Sequence, residues 1–157
     1  MMTLDEEKKL AHDILTDYLS AKRMRKTPER FRLLDVIYDQ QEHFSADELV
    51  LLMPSEFKVS RATVYNSLEL FVECQLVVKH QFDKQHIEYE KVTSNSTHHH
   101  RICTRCGSVR EFTDLKLKKA IQSRTFNAFQ VTHYSLYLYG VCKKCEAGKL
   151  NSAIVKK

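Results

Sequence analysis

SRATVYNSLELFVECQLVVKHQFDKQHIEYEKV, residues 60–92, changes its hydrophobic period part-way along. Ser60 is an N-cap residue, and behind it Val64, Leu68 and Phe71 recur at helical spacing. Past Cys74 the chain reads as two strand-like runs, 76–82 and 86–92, around a hairpin turn at Asp83-Lys84-Gln85. A helix followed by a β-hairpin is the closing half of a winged helix-turn-helix, provided that short helices precede it. In that arrangement the helix before the hairpin enters the major groove of DNA and the hairpin lies along the backbone. Without the hairpin, the same helix reads as an ordinary capped element of an α-rich domain.

The preceding helices are there. Thr3 can cap a segment with Leu10, Ala11, Ile14, Leu15, Tyr18 and Leu19 on one stripe. Thr27-Pro28 opens a second, with Phe31, Leu34, Ile37 and Tyr38 as its apolar face. Ser45 with Glu48 is a capping box for a third, short helix that stops at Pro54. At the start of the fourth, small residues allow close approach. Thr63 and Tyr65 suit thymine methyls or phosphate, and Arg61 and Asn66 can reach base edges.

Lys22–Arg32 adds six basic residues and one acidic one, in a half (1–83) with 11 Lys+Arg against 15 Asp+Glu. Such a stripe attracts phosphate even on an acidic domain, because a Debye length of about 8 Å screens distant charges. Arg25 and Arg30 are its DNA-facing candidates.

Residues 84–157 carry 14 basic against 5 acidic residues and a different kind of signal. TSNST (93–97) reads as a hinge, so the predicted division is a winged-helix domain at 1–92, the hinge, and a second domain at 98–157. In the latter, 101–103 and 109–112 read as short strands, Asp114 to about Phe126 as a helix, and VTHYSLYLYG (131–140) as a long strand. The whole is α+β, with a small α/β second domain that has too few residues for a large core and needs a metal, a partner chain or both.

Cys103-x-x-Cys106 and Cys142-x-x-Cys145 supply a metal: two knuckles, each turning both thiolates toward one centre, complete a tetrahedral Zn²⁺ site. A thioredoxin-like redox pair is the alternative, but neither knuckle opens a helix in a βαβ pattern. Cys74 stands alone and reads as a buried structural thiol. His98-His99-His100 precedes the first knuckle. In a strand His98 and His100 share a face, so both can meet one ion, with Glu88, Glu90 or Glu111 as carboxylate partners. Such ligands suit Fe²⁺, Mn²⁺, Zn²⁺ or Ni²⁺ alike.

Composition limits what remains. The 157 residues are 43% hydrophobic and 29% charged, a globular balance, with no apolar run near the roughly 18 residues of a membrane span. MMTLDEEKKL is no signal peptide, which leads to the expectation of a cytoplasmic protein. Three glycines cannot supply the Gly-rich phosphate loops of nucleotide enzymes, and no HExxH is present for a metallohydrolase. No small-molecule substrate and no enzyme activity are expected. A zinc-dependent enzyme would need an open coordination position and a poised base, for which the sequence offers no motif, and a zinc-ribbon adaptor leaves the winged helix unexplained.

RKTPER (25–30), HFSADEL (43–49), SRATVYNSLELF (60–71), IEYE (87–90), HHHRICTRCGSVREF (98–112) and HYSLYLYGVCKKC (133–145) occur in this order over about 120 residues. With them the chain resembles the ferric-uptake regulator (Fur) family of bacterial metal-dependent repressors. The resemblance implies a C-terminal dimerisation domain and a homodimer repressing from an AT-rich inverted repeat of double-stranded DNA. It also implies a regulatory metal held by His43, Glu90, His98, His100 and Glu111, in which His43 is a residue that spacing does not suggest. The family's cysteine site matches Cys103, Cys106, Cys142 and Cys145. A further site of many members falls on Thr97, His99, Lys118 and Tyr134, where only His99 can bind a metal, so that site is expected to be absent; His133 is one position early. Asn66 stands where the family often has Arg, and Glu111 where peroxide-responsive members typically have Asp. The expected regulatory metal is Fe²⁺, with zinc, manganese or peroxide sensing as alternatives.

Overall fold

The computed structural model describes residues 2–57, 59–82, 85–93, 98–131 and 133–148. The chain divides into two compact units, residues 1–95 and 96–157. The hairpin tip at Asp83-Lys84 and, except for Thr93, the predicted hinge lie outside the described residues.

The first unit is built on four helices and a hairpin: α1 (Leu4–Ala21), α2 (Pro28–Asp39), α3 (Ala46–Leu52), α4 (Arg61–Glu73), β1 (Val77–Gln81) and β2 (Ile87–Lys91). Thr3 and Ser45 close capping boxes with Glu6 and Glu48, and the Ser60 hydroxyl accepts from the Thr63 N–H. Each satisfies donors that a helix start leaves without partners. Thr27 precedes Pro28 as expected but makes no side-chain cap bond.

The core comes from one face of each element. From α1 it takes Ala11, Leu15 and Leu19; from α2, Leu33, Leu34 and Ile37; from α4, Val64, Leu68 and Phe71. Leu10 and Ile14, expected on the buried stripe of α1, are 49% and 38% exposed. That face is narrower than the apolar pattern, because positions four apart (11, 15, 19) suffice to meet α2. The α2–α3–α4 succession with the antiparallel β1–β2 hairpin behind it is the winged helix-turn-helix.

Phe44 extends the wing. It exchanges two backbone bonds with Tyr89, at 3.0 and 2.8 Å, and stacks on its ring. Tyr89 is buried among the helices. Its strand neighbours Glu88 and Glu90 therefore point to the opposite face of the hairpin.

The second unit is a three-stranded sheet in the order β4 (Val109–Phe112), β3 (His99–Cys103), β5 (Tyr137–Gly140). β3 pairs antiparallel with β4 and parallel with β5, and the connection between β4 and β5 carries α5 (Leu115–Gln122). Asp114 caps α5, which ends at Gln122 rather than near Phe126. Of the long strand expected over 131–140, the described residues form strand at Tyr137–Gly140, in register with β3, and the Leu136 carbonyl ahead of it accepts from the His100 N–H at 3.0 Å. A short helix, α6 (Lys143–Ala147), follows. Neither α5 nor α6 has a buried residue. No helix of the described residues is long and apolar enough to cross a membrane.

Candidate metal centres and nucleic-acid face

The first cysteine knuckle closes on Gly107, whose φ of +72° is open to glycine at little cost and whose N–H bonds the Cys103 carbonyl at 2.9 Å. The second is the start of α6, where the Glu146 N–H bonds the Cys142 carbonyl. Between them the four sulfurs all lie within 4.8 Å of one another. The Cys106 and Cys142 sulfurs are 3.8 Å apart. A tetrahedron with zinc–sulfur bonds of about 2.3 Å has edges of about 3.8 Å, whereas a disulfide needs about 2.05 Å.

The protons are already unevenly shared. Backbone N–H groups of Cys142, Cys106 and Arg105 aimed at the Cys103 sulfur lower its pKa to about 6. Hydrogen bonding to Cys142 and Cys106 pushes Cys145 up to about 12. Thiols gathered at one point hold protons in common, and a divalent ion bound there displaces them. The residues fit a tetrahedral metal. Cys74, half-buried at the end of α4, has its thiol pushed up to about 11, first by burial. It is no part of this cluster.

A second group of residues able to hold a metal gathers at the wing, all within the first unit. His43 Nε2 lies 3.3 Å from Glu90 Oε2, and His80 Nε2 lies 3.1 Å from the same oxygen. Beside them His43 Nδ1 is 3.8 Å from Glu88 Oε2, and His86 Nε2 is 2.7 Å from Glu88 Oε1. Alternation explains the gathering. Val78, His80 and Phe82 share a face of β1, and Glu88 and Glu90 share that face of β2 across the register His80↔Glu88 and Val78↔Glu90. His43 joins them because Phe44, its neighbour, turns the other way into the core. Within the second unit, the His98 and His100 rings stand 4.9 Å apart, His98 Nε2 is 4.0 Å from Glu111 Oε1, and His100 pairs with Glu111 across β3–β4.

Of the five residues assigned to a regulatory metal, His43 and Glu90 thus meet in one unit and His98, His100 and Glu111 in the other. His80 and His86 are additions that sequence reasoning missed. The signal was present, since HQFDKQHIEYE puts His80, His86, Glu88 and Glu90 at even spacing. What the sequence lacks is which face of the hairpin turns from the core. At the positions of the further site, Thr97 lies outside the described residues. His99 is 1% exposed, its ring packed against Phe112 and Tyr134 with neither nitrogen hydrogen-bonded.

The candidate nucleic-acid face is the start of α4 with the chain before α2. Arg61, Tyr65 and Asn66 are exposed, as is Arg25. Thr63 is half-buried, its hydroxyl 2.9 Å from that of Ser60. Arg30 donates to the Arg25 carbonyl at 2.8 Å, fixing the approach to α2. With Thr27, Thr63 and Asn66 it lines a groove between the two helices. Arg61 is held by Asp47 of α3, an exposed ion pair that a phosphate can displace at small cost.

Comparison with known proteins agrees with this geometry. Residues 21–139 match the model of the ferric uptake regulator family. The chain is 33% identical over 124 residues to the peroxide operon regulator of Bacillus subtilis, covering 78% of this chain and 84% of that one. The structure of the ferric uptake regulator of Pseudomonas aeruginosa with manganese aligns at a TM-score of 0.65 and 30% identity, over 82% of this chain and 97% of that one. That of Helicobacter pylori aligns at a TM-score of 0.66 over 92% and 95%, with 19% identity, a likeness of fold.

Proposed function

The chain belongs to the ferric uptake regulator family of metal-responsive transcriptional regulators, which are not enzymes, and we propose that it is a homodimeric repressor whose hold on DNA depends on Fe²⁺. One observation carries the reading. β2 turns Glu88 and Glu90 toward His43 and Tyr89 into the helical core, so an ion gripping this strand would act on the element against which the helices pack.

The parts then take distinct roles. Cys103, Cys106, Cys142 and Cys145 hold a structural Zn²⁺ that closes the second unit. His43 and Glu90 from the first unit and His98, His100 and Glu111 from the second hold the regulatory ion. An ion shared in this way favours one arrangement of the two units over others, and linkage makes metal affinity and operator affinity rise together. Arg61, Thr63, Tyr65 and Asn66 meet base edges and phosphates in the major groove, with Arg25 and Arg30 on the backbone. The domain boundary falls in residues 93–97, with DNA binding before it and dimerisation after it. The apolar side chains that the second unit leaves in solvent, among them Leu115, Phe129, Leu138 and Tyr139, suit a second copy of the chain. Such a repressor works in the cytoplasm, beside its DNA.

The test is fluorescence anisotropy of an AT-rich inverted-repeat duplex at fixed salt, with dimer holding only cysteine-bound zinc. Fe²⁺, Mn²⁺ and Zn²⁺ are added in turn without oxygen. Tight binding that needs a second metal and disappears in His98→Ala supports the reading; metal-independent binding overturns the regulatory site. The likeness to a peroxide operon regulator favours peroxide sensing as a second reading, against which stands Glu111 in the place of Asp. Loss of DNA binding on peroxide treatment of the Fe²⁺ form, with oxygen added to His43 or His98, would put it first.

A further inference from the structure

The wing holds a third imidazole that the family resemblance does not supply. His80 lies on β1 and is 3% exposed. Its ring is stacked on Phe82, with centroids 5.6 Å apart and planes 2° from parallel, and meets the His43 ring edge-on at 5.2 Å. The ring therefore has one orientation, and in it Nε2 is 3.1 Å from Glu90 Oε2.

We propose that His43, His80 and Glu90 form a divalent-cation site complete within the first unit, with His80 as a direct ligand. The proposal deepens the reading of His43 and Glu90 as regulatory ligands and rests on it.

Three observations support it. One ligand atom from each residue lies within 4.8 Å of the other two. The separations of 3.1 and 3.3 Å from the shared carboxylate oxygen are those between neighbouring ligands of an ion with bonds of about 2.0–2.1 Å, which is about 3.3 Å for a tetrahedron and about 3.0 Å for an octahedron. The neighbours of the cluster also prepare it. Glu88, held by His86 at 2.7 Å, sets its carboxylate 3.8 Å from His43 Nδ1. A carboxylate on the Nδ1 side of an imidazole whose Nε2 faces the other ligands has the placement of the carboxylate–histidine–metal arrangement of many metal sites.

Two imidazoles and one carboxylate on rigid strands suit Fe²⁺, Mn²⁺, Co²⁺ or Zn²⁺ and leave coordination positions open. A cation can then be held on the wing without His98, His100 and Glu111. Metal capture and the change in DNA affinity become separable steps, the first belonging to one unit alone.

The test uses the full chain with its cysteine zinc and carries His98→Ala, His100→Ala and Glu111→Ala together, which removes the second unit's imidazole and carboxylate ligands. Oxygen-free titration with Co²⁺, followed by its d–d absorption and by metal analysis, should show one Co²⁺ per chain beyond the zinc content. His80→Ala added to that background should weaken binding at least 10-fold, with far-UV circular dichroism unchanged. His80→Gln distinguishes a ligand from a positioning group, because the amide can still donate to Glu90 but offers no imidazole. It should bind Co²⁺ as poorly as His80→Ala. No Co²⁺ bound by the triple variant, binding indifferent to His80→Ala, or full rescue by His80→Gln each overturns the proposal. The titration contains no DNA, so its failure leaves the operator experiment standing, and failure there leaves this site standing.

Discussion

The two units solve the folding problem by opposite means. In the first, helices and wing bury an apolar core, and all but two of the buried apolar side chains among the described residues lie in this unit. In the second, those two are Ile102 and Cys103, accompanied in burial by His99 and His100, and neither helix buries anything. The first unit is held by hydrophobic burial distributed over many residues. The second has a sheet of three short strands and four converging cysteines, and leaves apolar side chains exposed. Distributed stabilisation tolerates the loss of any one side chain better than stabilisation concentrated at one centre does.

Removing the proposed zinc ligands is the sharpest test of that contrast. Structural zinc contributes on the order of 10 kcal/mol in zinc-finger peptides, more than a small sheet can replace. Cys103→Ser with Cys142→Ser should abolish zinc content and amide-exchange protection in β3–β5, while protection in α1, α2 and α4 persists. A folded, zinc-free double variant would break the comparison.

The reciprocal experiment is a cavity in the first unit. Leu68, fully buried in α4, replaced by Ala should cost about 2–5 kcal/mol. Urea unfolding should show the loss in the helical transition and leave zinc retention unchanged. The matching change in the second unit is Leu115→Ala, at a residue 72% exposed. It should leave the isolated chain's stability within about 0.5 kcal/mol yet weaken self-association measured by sedimentation. If Leu115→Ala unfolds the second unit and leaves association intact, that face is not a subunit interface.

Arg61→Ala moves the comparison from stability to function. The side chain is exposed and paired only with Asp47 among the ion pairs described for it, so the fold should not notice its loss. Operator affinity should fall by about 1–3 kcal/mol, and the slope of log K against log salt should drop by about one if the contact is to phosphate. Zinc content and self-association should stay as they are. An unchanged isotherm removes Arg61 from the interface.

How much of this was legible in the sequence follows the same division. Where local chemistry decides, the reading held: Thr3, Ser45 and Ser60 cap the helices they were expected to cap, and the period change after Cys74 marks the wing. The two CxxC knuckles come together because each is a local turn and the sheet joins them through β3 and β5. Where tertiary partners decide, the reading overran. Leu10 and Ile14 carry helical spacing but lack a neighbour to bury them. The run 131–140 looks like strand throughout, but the described ladder with β3 runs over Tyr137–Gly140. His80 is the instructive case. Its parity with Phe82 was readable, but its meaning depends on Phe44 and Tyr89 claiming the other face of the wing for the core.

The smallest expected effect concerns a cap. Ser45 accepts from the Glu48 N–H at 3.2 Å while its own N–H donates to Glu48 Oε2 at 2.6 Å. That backbone bond, then the Ser45 hydroxyl, holds the Glu48 carboxyl below its ordinary pKa. A lowered carboxyl stabilises the fold above the pKa of the unfolded chain, about 4.3, and the contribution is lost as pH falls through the folded value. Ser45→Ala removes the hydroxyl and should cost about 1 kcal/mol at pH 7, some 4–8 °C in the melting temperature of a unit this size. Below about pH 4 the difference should narrow, because the protonated carboxyl no longer draws on the hydroxyl that the Ser45 protein alone carries. The bond from the Glu48 N–H to the Ser45 oxygen does not titrate, so a residue of the difference should remain. Since α3 belongs to the first unit, zinc retention should be the same in both proteins across the neutral range. A gap that is constant with pH would assign the cap's value to the backbone bond alone.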